Sequence, residues 1–280
     1  VCKILIYLAV VSFFVVIIFI YYNMIYKETR DNIINNGRLV AFESSNQIDK
    51  HLSAGIDILK LSGYTADNMI RDNRSTDDIL DFFVDETVAV KDALIDDTTG
   101  VYGYVNGTYL DGSGWDPGPD YDPTKRPWYI EARANRGRLT IVDPYLDMDT
   151  GDIILTIAKT LCDAKSVIAI DISMEEIQNI MEKHISDSEC YEEFIINTKG
   201  KILAHSNSDY IGRYYEYNTD SFHAAIANGY KEVSDDHFYL DYNSDDYMVY
   251  FMPLENDWTL VSVIDATKDF KGLRYPLYTT

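Results

Sequence analysis

Nineteen consecutive residues, Ile4 to Tyr22, carry no charge and are rich in Ile, Val and Phe. That run meets the ~20-residue requirement for a helix that crosses hydrocarbon. Tyr7, Tyr21 and Tyr22 fall near its ends, where an aromatic belt places them. A cleaved signal peptide would show a small-x-small site, whereas Tyr22 is followed by Asn23-Met24-Ile25-Tyr26-Lys27. Residues 1–24 therefore read as an uncleaved transmembrane anchor, with residues 4–22 in the membrane. Charge alone leaves the orientation open: Lys3 precedes the span, Lys27 and Arg30 follow it, and acidic residues weigh little in the positive-inside rule.

A second constraint follows directly. From Ile25 to Asn73 there is no proline, and Ile48, Leu52, Ile56 and Leu59 recur at helical spacing. Unbroken, that stretch would be ~70 Å long at 1.5 Å per residue. Gly37, Gly55 and Gly63 weaken it without forcing a stop. Residues 25–75 are expected to form a spine helix, lying along a domain or pairing as a coiled-coil stalk, and in a dimer both hold together.

Beyond it, Thr76-Asp77-Asp78-Ile79 reads as the capped start of a second helix. From Ala93 the texture changes to short apolar runs cut by turns such as Thr98-Thr99-Gly100 and Asn106-Gly107. Gly112 to Pro123 is a loop, and Pro127 presets a short helix from Trp128 to Asn135. Ile153–Lys159 and Val167–Ile172 read as antiparallel strands, and Met174–Ile185 as an amphipathic helix. A second set of strands follows at Glu193–Asn197, Lys201–His205, Phe238–Tyr242, Tyr247–Pro253 and Trp258–Ile264. Asn243 to Asp246 and Glu255-Asn256-Asp257 connect them. The expected class is α+β: a long N-terminal helix carrying two PAS-like modules with antiparallel sheets. Residues 76–185 form the first module, 186–268 the second, and 269–280 begin a connection onward.

The formal net charge is −22. All of the acidic excess lies beyond residue 30, since Lys3, Lys27 and Arg30 outnumber Glu28 before it. That balance argues against nucleic acid as a partner. Asp147-Met148-Asp149-Thr150-Gly151-Asp152 imitates a calcium loop, but its Gly is one position early and Ala158 stands where the bidentate Glu belongs. An acidic hairpin turn is the expectation there. His205-Ser206 near Asp209 lacks a nucleophile-elbow motif, and the histidines lack metal-ligand spacing. No catalytic residue, metal or cofactor is expected. Cys162 and Cys190 are the pair available for a disulfide, and free thiols are an equal reading.

The richest chemistry runs from Tyr121 to Asp171. Tyr121, Arg126, Trp128, Tyr129, Tyr145, Asp147 and Asp171 supply a guanidinium fork, two carboxylates and aromatic faces. Such a set can hold both ends of a zwitterion. Taken singly, Trp128 and Tyr129 read equally as core aromatics, with Arg126 covering them. Asp171 differs, because it interrupts the apolar run Val167–Ile172 and a buried carboxylate wants a cation or donors.

The ordered pattern Tyr-x4-Arg-x-Trp-Tyr, Tyr-x-Asp and a strand Asp resembles the amino-acid-binding double Cache (dCache) family, extracytoplasmic sensor domains of bacterial transmembrane receptors. All seven positions are filled, and a looser resemblance extends over roughly Ile25 to Ile264. It implies that Arg126 and Trp128 hold a ligand α-carboxylate, that Tyr129, Asp147 and Asp171 hold its ammonium, and that Tyr121 and Tyr145 line the pocket. It also implies that residues 31–280 lie outside the cytoplasmic membrane, that a homodimer forms through the N-terminal helix, and that the chain from Val1 to Thr280 is the sensor portion of a longer receptor. An amine or small-carboxylate sensor, or an anchored surface binding protein that transmits nothing, are the alternatives.

Overall fold

Nothing between Cys2 and Arg71 stops a helix, and α1 spans Cys2–Arg71 without a break. The computed structural model describes residues 2–93, 98–188, 190–215, 222–232, 235–254 and 257–274. Of the expected features, Glu255-Asn256 and residues 275–280 lie outside that set. The first turns of α1 expose their apolar side chains, Phe13 and Ile18 among them, and the helix is long and apolar enough to cross a membrane. It ends in a Schellman motif. The Arg74 amide reaches Met69 O at 2.9 Å, the Asn73 amide reaches Ile70 O at 3.0 Å, and Asn73 takes the left-handed conformation with φ 53°.

Helix α2 (Thr76–Ala93) begins one residue earlier than its sequence suggests. Its cap is Ser75, in a reciprocal pair with Asp78: Asp78 N donates to Ser75 Oγ at 3.1 Å and Ser75 N to Asp78 Oδ2 at 3.2 Å.

Two five-stranded antiparallel sheets follow. The first contains β1 (Val101–Val105), β2 (Thr108–Asp111), β3 (Leu139–Leu146), β4 (Ile153–Thr160) and β5 (Val167–Ser173), in the order β2-β1-β5-β4-β3. The second contains β6 (Cys190–Ile196), β7 (Ile202–His205), β8 (His237–Tyr242), β9 (Asp245–Pro253) and β10 (Thr259–Asp265), in the matching order β7-β6-β10-β9-β8. Helices α3 (Pro127–Ala134) and α5 (Phe222–Glu232) occupy equivalent places between the second and third strands of each sheet. Helix α4 (Met174–Asp187) joins the modules, and α6 (Thr267–Arg274) follows β10. The β1–β2 and β8–β9 hairpins turn on Asn106-Gly107 and Asn243-Ser244, all four at positive φ, as type I′ turns demand.

The spine holds both sheets. Ile48, Leu52, Ile56 and Leu59 are all buried. Nearer the apolar N-terminal segment, Gly37 abuts the Tyr250 ring of β9, and farther out Gly55 abuts Ile157 and Ile172 of the first sheet. Along α1 the second module is thus proximal to the apolar segment and the first is distal. Glu193, fully buried on β6, adds a polar tie. It accepts from Ser44 of α1 at 2.8 Å and Ser262 of β10 at 2.6 Å, with His184 of α4 3.4 Å away. Cys162 and Cys190 are free, so no disulfide links the modules; the Cys162 amide instead donates to Asp67 Oδ1 at 2.6 Å.

Candidate ligand-binding site

Strand β5 is buried on both faces, which is why it reads as a continuous apolar run. Ile168, Ile170 and Ile172 belong to the core that contains α1. Val167 and Ala169 pack with Trp128 and Ala132 of α3, and the two-residue period places Asp171 on that same face. Asp171 is only 4% exposed. Its Oδ1 accepts from the Tyr102 hydroxyl at 2.8 Å and from the Thr156 hydroxyl directly across the β4–β5 pair, and its Oδ2 accepts from Thr99 at 3.2 Å. Thr156 spends its one proton on Asp171, so it accepts from the Tyr145 hydroxyl at 2.6 Å. Burial pushes the Asp171 carboxyl up to about 7, against the pull of the Thr156 and Tyr102 hydroxyls, and the Asp147 charge adds to the rise.

A bulge brings Tyr145 into this group. Between Val142 and Tyr145 the β3–β4 register shifts, so residues three apart share a face, and both pack in the α3-side cluster. Pro144 sits in that bulge on an edge strand, where its missing N–H breaks no ladder. Asp147, two residues on, returns to the same face. Its carboxylate is turned onto its own loop, accepting from the amides of Met148 at 2.7 Å and Thr150 at 3.0 Å. This is the hairpin turn that the sequence suggests.

Arg126 is the N-cap residue of α3, held between a short 3-10 turn (Pro123–Lys125) and Pro127. Its Nη2 donates to Leu146 O at 3.2 Å and its guanidinium lies 5.4 Å from the Tyr145 ring centre. Tyr121 packs edge-on against Tyr109 at 5.1 Å and Trp115 at 5.4 Å, and Tyr102 against Trp128 at 5.2 Å. Burial and nearby carboxylates push the Tyr102 and Tyr109 phenols up, so both remain donors.

These side chains line one narrow cleft with a cavity volume of about 20 Å³. Six of the seven motif residues line it: Tyr121, Arg126, Trp128, Tyr145, Asp147 and Asp171. Tyr129 does not. Its hydroxyl donates to Lys165 O at 3.2 Å and its ring packs on Tyr104 and Trp128. The structure adds wall residues the motif omits, notably Thr99, Tyr102, Tyr109, Asp111 and Trp115. The alternation Tyr102-Gly103-Tyr104 on one strand face was the available signal for Tyr102.

Sequence spacing also misses a cluster in the proximal module. Glu192, His205 and His223 bring donor atoms within 4.8 Å of one another. His205 therefore faces Glu192 and His223 rather than forming a local group with Ser206.

Residues 27–272 match the Cache domain family. Among curated relatives, the methyl-accepting chemotaxis protein McpB of Bacillus subtilis (strain 168) is 28% identical over 137 residues, covering 46% of this chain and 20% of McpB. The chain thus spans about a fifth of that relative's length. Among solved structures, the ligand-binding domain of the Pseudomonas fluorescens chemoreceptor CtaA with L-isoleucine superposes with a TM-score of 0.65 at 20% identity, over 89% of this chain and 98% of that one. That of the Pseudomonas aeruginosa amino-acid chemoreceptor PctB with L-Arg gives 0.62 at 21%, over 86% and 96%. With two like sheets on one spine and a family match over nearly all of it, the chain belongs to the double Cache (dCache) family of sensor domains.

Proposed function

We propose that the distal module binds a free amino acid, and that the chain is the extracytoplasmic sensing part of a transmembrane signalling receptor without catalysis of its own. One observation carries the reading: a single aromatic cleft holds a guanidinium, Arg126, and a buried carboxyl, Asp171, whose donors are all uncharged hydroxyls. Arg126 disfavours an amine-only ligand, and Asp147 with Asp171 disfavours a simple carboxylate. In this reading Arg126 and Trp128 take the α-carboxylate, and Asp171 and Asp147 the ammonium, Asp147 turning from its own loop. Tyr129 positions Trp128 from behind. The amino-acid ligands named for the CtaA and PctB structures support the ligand class.

Transmission would run through β5. Asp171 faces the cleft while its neighbour Ile172 meets α1 at Gly55, so ligand closure bears on the helix that enters the membrane. A ligand shifts such an equilibrium only through unequal affinity for the two states. Leu39, Phe42, Leu61 and Tyr64 are exposed on α1 and fall within one helical stripe, which supports pairing of two copies along it.

A thermal-shift screen of the full chain in detergent against the proteinogenic amino acids tests the ligand class. A ligand at 100 times its Kd should add about 2.7 kcal/mol of stability; no shift with any of them sinks the proposal. Proteolysis of spheroplasts tests the topology, since cleavage only after lysis would place residues 31–280 inside.

A further inference from the structure

The proximal sheet repeats the distal strand order, and it too carries a cleft beside its short helix. Tyr191, Glu192, Tyr210, Phe222, His223 and Tyr247 contribute to its lining. The rings form a connected wall: Tyr191 to Tyr247 at 5.3 Å, Phe222 to Tyr247 at 5.1 Å, and Tyr210 to His223 at 4.6 Å between centres. Glu192 is the carboxylate set deepest in that wall, its side chain 13% exposed. Its Oε1 lies 3.1 Å from His205 Nε2 and 3.3 Å from His223 Nε2. Its Oε2 is buried with no hydrogen-bond partner.

The three donors are spaced like a metal triad, with the two Nε2 atoms 3.2 Å apart. The tautomer of His205 argues otherwise. The Asn207 amide donates to His205 Nδ1 at 2.8 Å, and an amide N–H can only donate. In the neutral ring the proton therefore sits on Nε2, which donates to Glu192. A metal-bound histidine has the reverse arrangement, a bare Nε2 and a proton on Nδ1. Burial alone would raise Glu192, but the His205 and His223 rings overturn that and hold it at about 2. The result is an ionised carboxylate with one oxygen satisfied and the other bare, beside an aromatic wall. An unpaired buried acceptor of this kind is costly and wants a donor.

The geometry points to a second ligand site, in which Glu192 Oε2 takes an N–H of a small primary alkylammonium whose alkyl chain lies against Tyr191, Tyr210, Phe222 and Tyr247. The charges at the rim are mixed. Arg213 is exposed, with its guanidinium 5.5 Å from the Tyr210 ring centre, and Asp245 pairs with Lys271 at 3.4 Å. The deep charge is negative. A quaternary ammonium would suit the ring faces but has no N–H for Oε2, so the site separates the two kinds of cation.

Calorimetry of the full chain in nanodiscs, with butylamine, tetramethylammonium and Zn²⁺ as probes, tests this. Butylamine should bind wild type and Asp171→Asn alike, because the distal cleft is not involved. Glu192→Gln, an isosteric change, should weaken it by about tenfold or more, and tetramethylammonium should bind wild type about tenfold more weakly than butylamine. Tyr191→Ala, at an exposed part of the wall, should also weaken butylamine, and it carries the test if Glu192→Gln fails to fold. No butylamine binding to wild type overturns the proposal. So does binding lost in Asp171→Asn and kept in Glu192→Gln, which would assign the amine to the distal cleft. Zn²⁺ binding that both Glu192→Gln and His223→Ala abolish, with no amine binding, would make the cluster a metal centre instead.

Discussion

The distal and proximal sheets share a strand order, yet they treat buried carboxylates in opposite ways. On the distal sheet, Asp171 receives only hydroxyl donors and its carboxyl rises to about 7. On the proximal sheet, Glu193 is enclosed by Ser44, Ser262 and His184 from three other elements. One scaffold can therefore use a strand carboxylate as structure or leave it wanting a cation. Burial is the same in both cases; the partners decide.

The largest expected effect separates these uses. Asp171→Ala strands a ligand charge, a truncation that typically costs ~2–5 kcal/mol, so amino-acid affinity should fall by ~30-fold or more. Glu193→Gln should instead lower the melting temperature and leave that affinity within about twofold. Calorimetry and thermal melts on both variants check it, and equal losses of affinity would erase the distinction.

A smaller effect contrasts the two places where α1 meets the sheets. An added Cβ at Gly37 would lie 2.4 Å from the Tyr250 hydroxyl oxygen and 2.7 Å from its ring, whereas at Gly55 the nearest atoms are the terminal methyls of Ile172 at 2.6 Å and Ile157 at 2.9 Å. Tyr250 is fixed, fully buried and bonded through its hydroxyl to Ile34 O at 3.1 Å. Gly37→Ala should cost ~1–3 kcal/mol through overpacking. Gly55→Ala should come out within about 1 kcal/mol of wild type, because methyl ends rotate and the helix gains from Ala. Thermal melts of the two variants rank them.

Smaller still is the pH dependence of amino-acid binding. A ligand ammonium favours ionised Asp171, so binding must expel the proton that the empty site holds below about pH 7. The sign follows: affinity is full above pH 7 and declines as pH falls, by roughly tenfold at most per unit, or 1.4 kcal/mol. Titrations at pH 5.5, 7 and 8.5 check this, and Asp171→Asn should flatten the profile.

The sequence made the spine and Asp171 legible for physical reasons. An unbroken proline-free helix has one period to read, and a carboxylate inside an apolar strand contradicts its surroundings. Strand β3 was hidden because Pro144 argues against a strand, and only its bulge on the sheet edge admits it. Helix α5 was hidden because Gly229 weakens its pattern; that Gly is needed where the Phe238 ring comes within 2.3 Å of its would-be Cβ. Trp128 and Tyr129 are neighbours on α3, about 100° apart around the helix, and sequence alone does not show that Trp128 turns to the cleft while Tyr129 packs on Tyr104. The Glu192, His205 and His223 cluster depends on the β6–β7 pairing and the start of α5, which no local spacing encodes.

The claim that the distal cleft grips both ends of an amino acid is tested most directly by a thermodynamic cycle. Affinities of wild type and Arg126→Ala are measured by calorimetry for the bound amino acid and for its decarboxylated analogue. The account expects strong non-additivity: the analogue binds wild type poorly and loses little more in Arg126→Ala, because the partner of Arg126 is already gone. It should remain sensitive to Asp171→Ala. Full additivity between Arg126→Ala and loss of the carboxylate would mean that Arg126 never touches that group, and the two-ended assignment would be wrong.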